Sequence, residues 1–171
     1  KFATAFEQGG DDNQFVFPVF GDDLFKPQRD GVLSIRPKYT DKIMDGKKTA
    51  ELRRRFPVSA PRGTVAYIYS TSPVQALVGR AEISNVMKLP VPDIWKRFGK
   101  MASIRRSDFD GYFSGLDEGF ALIFANARPL ERRLELPELR SRFGFEPPQS
   151  FVYATPVLRK ALQDEFPNVS Y

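Results

Sequence analysis

The chain has 171 residues, 42% hydrophobic and 27% charged, which is enough for one globular domain with a proper core. It holds no cysteine and no histidine, which excludes disulfides, thiolate nucleophiles and the usual zinc sites, and removes the side chain most used for acid–base work near neutral pH. The net charge of +5 is uneven, because residues 1–30 carry 3 basic against 6 acidic side chains and the body after them carries 23 against 15.

A basic body behind an acidic leader suits a nucleic-acid partner, or simply a soluble basic surface. No apolar run approaches the roughly 20 residues of a membrane span, and no basic start leads into one as in a signal peptide. The expectation is a cytoplasmic protein with no membrane partner, no cofactor and no resident metal.

Residues 1–30 read as an acidic, Phe-rich arm, separate from a main domain over 31–171. Gly9-Gly10-Asp11-Asp12-Asn13 is a turn cluster. Phe15, Phe17, Phe20 and Phe25 follow, interrupted by Pro18 and Gly21. Such a piece builds no core alone and is expected to strap its aromatics onto the domain. A sharper expectation is that the arm occupies a basic cleft when no ligand is present.

Val32 to Arg36 is a strand by length and β-branching, and Pro37 ends it. Tyr39 to Asp45 fits a short helix, and Asp45-Gly46 stops and turns it. A strand then runs to about Phe56, followed by a loop through Pro57 and Pro61-Arg62-Gly63. Thr64 to Ser70 is a strand. Val74 to Val86 is a long β pattern in which Gly79 marks a bulge or tight bend. Pro92 to Phe98 reads as a helix whose Trp95 packs. A second helix runs from Ser107, as N-cap, to Phe113. Phe120 to Asn126 is a strand apolar at nearly every position, hence buried on both faces. Leu130 to Phe143 mixes a short strand with a helix starting near Pro137. Phe151-Val152-Tyr153 closes the sheet and Val157 to Phe166 is a final helix. Five to six strands with helices between them predict an α+β fold, a small mixed barrel with flanking helices.

Residues 46–55, Gly-Lys-Lys-Thr-Ala-Glu-Leu-Arg-Arg-Arg, carry the chemistry. Alternation after Thr49 sends Ala50, Leu52 and Arg54 to one face and Glu51, Arg53 and Arg55 to the other. A glycine turn delivering Lys48 to that second face makes a polar cluster able to bind an anionic ligand. Lys48 is a point charge for phosphate, or a base if its pKa is lowered. Glu51 accepts hydrogen bonds and holds both cations. Arg53 offers a planar fork to phosphate or a base edge. The same residues also suit an ion-paired barrel rim that binds nothing. Arg36, Lys38, Lys47, Arg54 and Arg55 form a wider basic rim or a solvated face. Tyr39, Tyr69, Tyr112 and Phe151 are candidate stacking platforms, with Tyr39 preferred because it borders the basic stretch. Asp108, Asp110, Asp117 and Glu118 match no calcium loop.

The spacing of Gly46, Lys48, Glu51 and Arg53 reproduces GxKxxExR. That pattern resembles the signature of the ASCH domain (activating signal cointegrator-1 homology) of the PUA-like superfamily. "LSIRPKYTDKIMDGKKTAELRRRFP", "YIYSTSPVQALVGRAEI", "DFDGYFSG" and "PPQSFVY" resemble stand-alone prokaryotic members, over about residues 31–155 and in the expected order. The resemblance implies a PUA-like barrel of five to six strands with a cleft between barrel and helices, where RNA or a modified nucleotide is bound. Some members are described as predicted transcriptional regulators. It carries site roles to Lys48, Glu51 and Arg53, with Ser70, Thr71 and Ser72 at the end of the next strand. Members that deacetylate acetylated cytidine use a Thr three residues after the Lys. Glu51 stands there, which puts that activity in doubt. The expected partner is RNA, single-stranded nucleic acid or a modified nucleotide. The alternative is an enzyme on the same cleft, a ribonuclease or a modified-nucleoside amidohydrolase, using Lys48 and Glu51.

Overall fold

The computed structural model describes residues 30–57 and 62–167, so both expectations for the acidic arm fall outside the described residues. The strands are β1 (Gly31–Ile35), β2 (Ala50–Arg53), β3 (Thr64–Ser70), β4 (Ala76–Pro90), β5 (Glu118–Glu135) and β6 (Phe151–Tyr153). The helices are α1 (Pro37–Met44), α2 (Val91–Phe98), α3 (Arg106–Tyr112), α4 (Leu136–Phe143) and α5 (Pro156–Glu165). The strands make one six-stranded sheet in the order β2-β5-β4-β3-β1-β6. β3, β4 and β5 form an antiparallel meander, while β1 lies parallel to β3 and antiparallel to β6. This is the expected α+β fold with flanking helices, its six strands curled into a half-barrel.

Period-two alternation distributes the core. From β3, Val65, Tyr67 and Tyr69 join Leu139, Leu158 and Leu162 of α4 and α5. Ala66 and Ile68 turn the other way, onto Leu33, Ile35 and Ile43. From β2, Ala50 and Leu52 pack beneath Ile94, Phe98 and Phe109 of α2 and α3. Glu51 and Arg53 therefore leave β2 from the opposite face.

The sheet curls until its two edges meet through side chains. Arg53 on β2 reaches the backbone of Ser34 on β1 and the hydroxyl of Ser150 just before β6. Beyond them the rings of Phe56 and Phe151 pack in a tilted pair, 4.8 Å between centroids. Gly79 is the bend the pattern implied, for the β4–β5 register shifts between Leu77 and Gly79. A methyl group there would collide with Met44 of α1 and with the Arg128 carbonyl, so α1 rests directly on this glycine.

Three element readings need correcting. β5 is one strand of 18 residues, not Phe120–Asn126 with a separate piece after it. Register shifts in the β4–β5 pairing carry the strand past Asn126 and Pro129, with Pro129 opposite Gly79. β2 ends at Arg53, well short of Phe56. Ser107 does not cap α3, because that helix starts at Arg106 with Arg105 in the cap position. Asp108 in its first turn pairs with Arg105 at 3.3 Å.

Candidate functional site

The turn after α1 is what delivers Lys48. Gly46 adopts φ +77°, a left-handed conformation open to glycine, and the backbone N–H groups of Lys47 and Lys48 both donate to the Lys42 carbonyl at 2.9 and 3.0 Å. The chain thereby wraps the helix end and sends Lys48 inward. Its ammonium donates to the Ala102 carbonyl at 2.7 Å, lies 3.3 Å from Glu51 Oε1 and sits 5.0 Å from the centre of the Tyr39 ring. Glu51 Oε2 lies 2.8 Å from Arg53 Nη2. Arg53 Nη2 also donates to the Ser34 carbonyl, and Nη1 to Ser150 Oγ, each at 2.9 Å. Ser34 Oγ in turn donates to the Pro148 carbonyl at 2.7 Å.

The three charged groups do converge, as the alternation implied, but not around an open hollow. Lys48, Glu51 and Arg53 are only 4%, 8% and 6% exposed. Arg53 Nε is buried without a hydrogen-bond partner among the described residues. Two buried cations share one carboxylate, so the cluster carries an excess positive charge. An anion could take up that charge if the Arg53–Ser150 contact opened.

Open volume lies next to the cluster. A groove of about 720 Å³ is lined by Arg54, Arg55, Phe56, Phe120, Ser150 and Phe151, with Lys88, Asp117 and Glu118 on its rim. Its charge is mixed, not uniformly basic. Ser150 belongs to both places: it accepts from Arg53 and lines the groove. Arg54 Nη1 donates to the carbonyls of Tyr112 and Ser114 at 2.6 and 3.4 Å, and these leave its charge unneutralised.

The remaining expected residues scatter. Tyr39, preferred for stacking, has the ammonium groups of Lys38, Lys42 and Lys48 over its ring at 4.9, 5.8 and 5.0 Å, so cations cover it. Lys38 also lies 3.9 Å from Asp108. Lys47 is exposed. Ser70 is buried, its hydroxyl 3.1 Å from that of Thr40 on α1, so it ties helix to sheet. Thr71 accepts the backbone of Val74 and Gln75 in a turn, and Ser72 is exposed beside it. Tyr69 is buried against Phe145, and Trp95 packs on Phe109 as expected. Phe151 is the stacking candidate that lines the groove. Ser150, Lys88 and Phe120 were not singled out by their sequence context, and the "PPQSFVY" string was the one signal pointing at Ser150. Among the described residues, no group of three or more acidic, histidine or cysteine side chains could hold a metal, and no helix is long and apolar enough to cross a membrane.

Burial lowers the Lys48 pKa below the usual lysine value of 10.5, and Glu51 opposes the shift. The folded chain thus releases this proton at lower pH than the unfolded chain. Between the two pKa values the unfolded state holds more protons, so stability rises with pH across that window. Relative to Lys48→Met, the wild type is expected to gain unfolding free energy as the pH climbs toward 10.5. Denaturant unfolding at stepped pH measures this, and a difference that stays flat would refute it.

A curled mixed sheet flanked by helices, with a buried Lys–Glu–Arg cluster at its seam, defines a class of α+β half-barrel proteins. The ASCH domain profile matches residues 33–135, and the chain belongs to the ASCH domain family. A curated relative from Zymomonas mobilis, named an ASCH domain-containing ribonuclease, is 32% identical over 127 residues, covering 74% of this chain and 84% of that one. The crystal structure of ASCH from Zymomonas mobilis superposes with a TM-score of 0.75 at 29% identity, over 81% of this chain and 96% of that one. It has also been solved with a serine replaced by alanine and with a tyrosine replaced by phenylalanine. An NMR structure from Rhodopseudomonas palustris shares the fold, with a TM-score of 0.52 at 14% identity, over 84% of this chain and 96% of that one.

Proposed function

We propose that this chain binds single-stranded RNA, or a modified nucleotide, along the groove that adjoins the Lys48–Glu51–Arg53 cluster through Ser150. The observation that carries the reading is the meeting in one groove of Arg54 and Arg55, neither with a carboxylate partner among the described residues, with the half-buried side chains of Phe120 and Phe151. Cations that track a backbone and rings that accept any base are what single-strand binding needs. The family and the relative named a ribonuclease favour RNA over duplex DNA. Binding without cleavage would suit a regulatory role.

Cleavage of the bound strand is the second reading, favoured by that relative's name and by the lowered pKa of Lys48. Lys48 would act as base beside Glu51, once displacement of the Arg53–Ser150 contact exposed them. In this chain the serine on the groove wall is Ser150. Incubation with short end-labelled RNA, with and without divalent metal, tests both readings. A retarded but intact strand is expected for binding, and shortened products for cleavage. Neither retention nor shortening would remove both.

A further inference from the structure

Residues 94–107, Ile-Trp-Lys-Arg-Phe-Gly-Lys-Met-Ala-Ser-Ile-Arg-Arg-Ser, hold five cations and no carboxylate. They run through the second half of α2, the turn after it and the start of α3. Lys96, Arg97, Lys100, Arg105 and Arg106 are all exposed. Among the described residues, the ion pairs of this stretch are Arg105–Asp108 at 3.3 Å and Arg106–Asp110 at 3.0 Å, both at the surface. Lys96, Arg97 and Lys100 are left unneutralised, for Asp93 one turn earlier on α2 pairs with neither Lys96 nor Arg97.

The stretch is firmly held. The Met101 carbonyl accepts from the backbone of Thr49 and Ala50, the Ala102 carbonyl from the Lys48 ammonium and the Ser103 carbonyl from that of Lys42. Trp95 packs on Phe109, and the Arg106 guanidinium lies 4.9 Å from the centre of the Trp95 ring. Arg97 lies 5.2 Å from the centre of the Phe98 ring. A charged surface that is already ordered loses little entropy on binding. It also adjoins the groove. The seven residues of α3 rise about 10 Å from Arg106 to Tyr112, whose carbonyl accepts from Arg54 on the groove wall.

We infer that this face of α2, the turn and α3 is a second phosphate-binding surface. It carries the backbone of an RNA strand where the strand leaves the groove floored by Phe120 and Phe151. Its contacts hold phosphates without reading bases. The choice of RNA as ligand rests on the reading of the groove given above.

Two labelled RNAs separate the surfaces: a tetranucleotide, at the short end of single-strand site sizes, and a dodecanucleotide long enough to pass α3. For the wild type, the slope of log affinity against log salt is expected to be steeper for the longer strand. Lys96→Glu with Lys100→Glu is expected to lower the dodecanucleotide slope by about 1.4, about 0.7 for each phosphate released, and to leave the tetranucleotide slope as it was. Both side chains are exposed, so the denaturant midpoint should hold. Arg133→Glu with Lys160→Glu makes the same change in net charge on β5 and α5, around the separate core of Tyr67 and Leu162, and should leave both slopes alone. Equal wild-type slopes for the two strands would overturn the surface. So would a dodecanucleotide slope that ignores Lys96 and Lys100, or one that falls as far in the control. A tetranucleotide that fails to bind, while the longer strand still loses slope, would sink the groove reading and leave this surface standing. Binding of neither strand would end both.

Discussion

Replacing Glu51 with alanine is expected to lower the unfolding free energy by about 3–5 kcal/mol, read from the midpoint of a denaturant titration. The magnitude follows from what the carboxylate leaves behind. The side chains of Lys48 and Arg53 are 4% and 8% exposed, and one carboxylate neutralises both. Taking it away strands two cations in a region already short of acceptors, where Arg53 Nε has no partner among the described residues. Glu51→Gln keeps an acceptor and loses the charge, so its stability should fall between those of wild type and alanine. A surface pair sets the scale at the other extreme. Lys160 and Asp164 lie 3.0 Å apart but are 77% and 66% exposed, and breaking that pair should cost about 0–1 kcal/mol. A loss of that smaller size for Glu51→Ala would mean that water reaches the cluster freely. That outcome would contradict its burial, while making direct ligand contact with all three groups easier.

What could be read in advance divides by the sequence distance of the contacts involved. Glu51 and Arg53 were legible as neighbours because a strand puts alternate residues on one face, and Lys48 because Gly46 permits the left-handed turn before it. Those are contacts within a few residues. The partner that anchors the Arg53 fork, Ser150, lies 97 positions downstream, and no local periodicity encodes how far the sheet must curl to bring it there. Burial of the cluster follows from that same curl, so an open hollow was the natural expectation and an enclosed one the outcome. Tyr39 looked available because its neighbours are basic. The same proximity folds three lysines over its ring. Ser70, Thr71 and Ser72 look like one polar patch, yet the hydroxyl of the first is spent on Thr40, while the backbone carbonyl of the second closes a turn. The end set for the strand at Asn126 misled, because pairing with β4 carries β5 on through Pro129 to Glu135.

Reversing both rim charges, Arg54→Glu with Arg55→Glu, is expected to flatten the salt dependence of RNA binding by about 1.4 in the slope of log affinity against log salt, about 0.7 for each phosphate left unneutralised on a single strand. Affinity should fall alike for RNAs of different sequence, because phosphate contacts position a strand without reading it. Fluorescence anisotropy of short labelled strands at several salt concentrations measures both effects. The variant should fold normally, since Arg54 and Arg55 are exposed and the carbonyls Arg54 meets lie at the surface, so its stability should stay within about 0.5 kcal/mol of wild type. That separation is what makes these two arginines a better probe than Arg53, whose replacement would open the seam between β2 and β1 and confuse binding with folding. A wild-type slope retained by the double variant would place the RNA elsewhere on the molecule. A flattened slope with unchanged affinity would mean that the phenylalanine floor carries the binding alone, and Phe151→Ala would then become the decisive substitution.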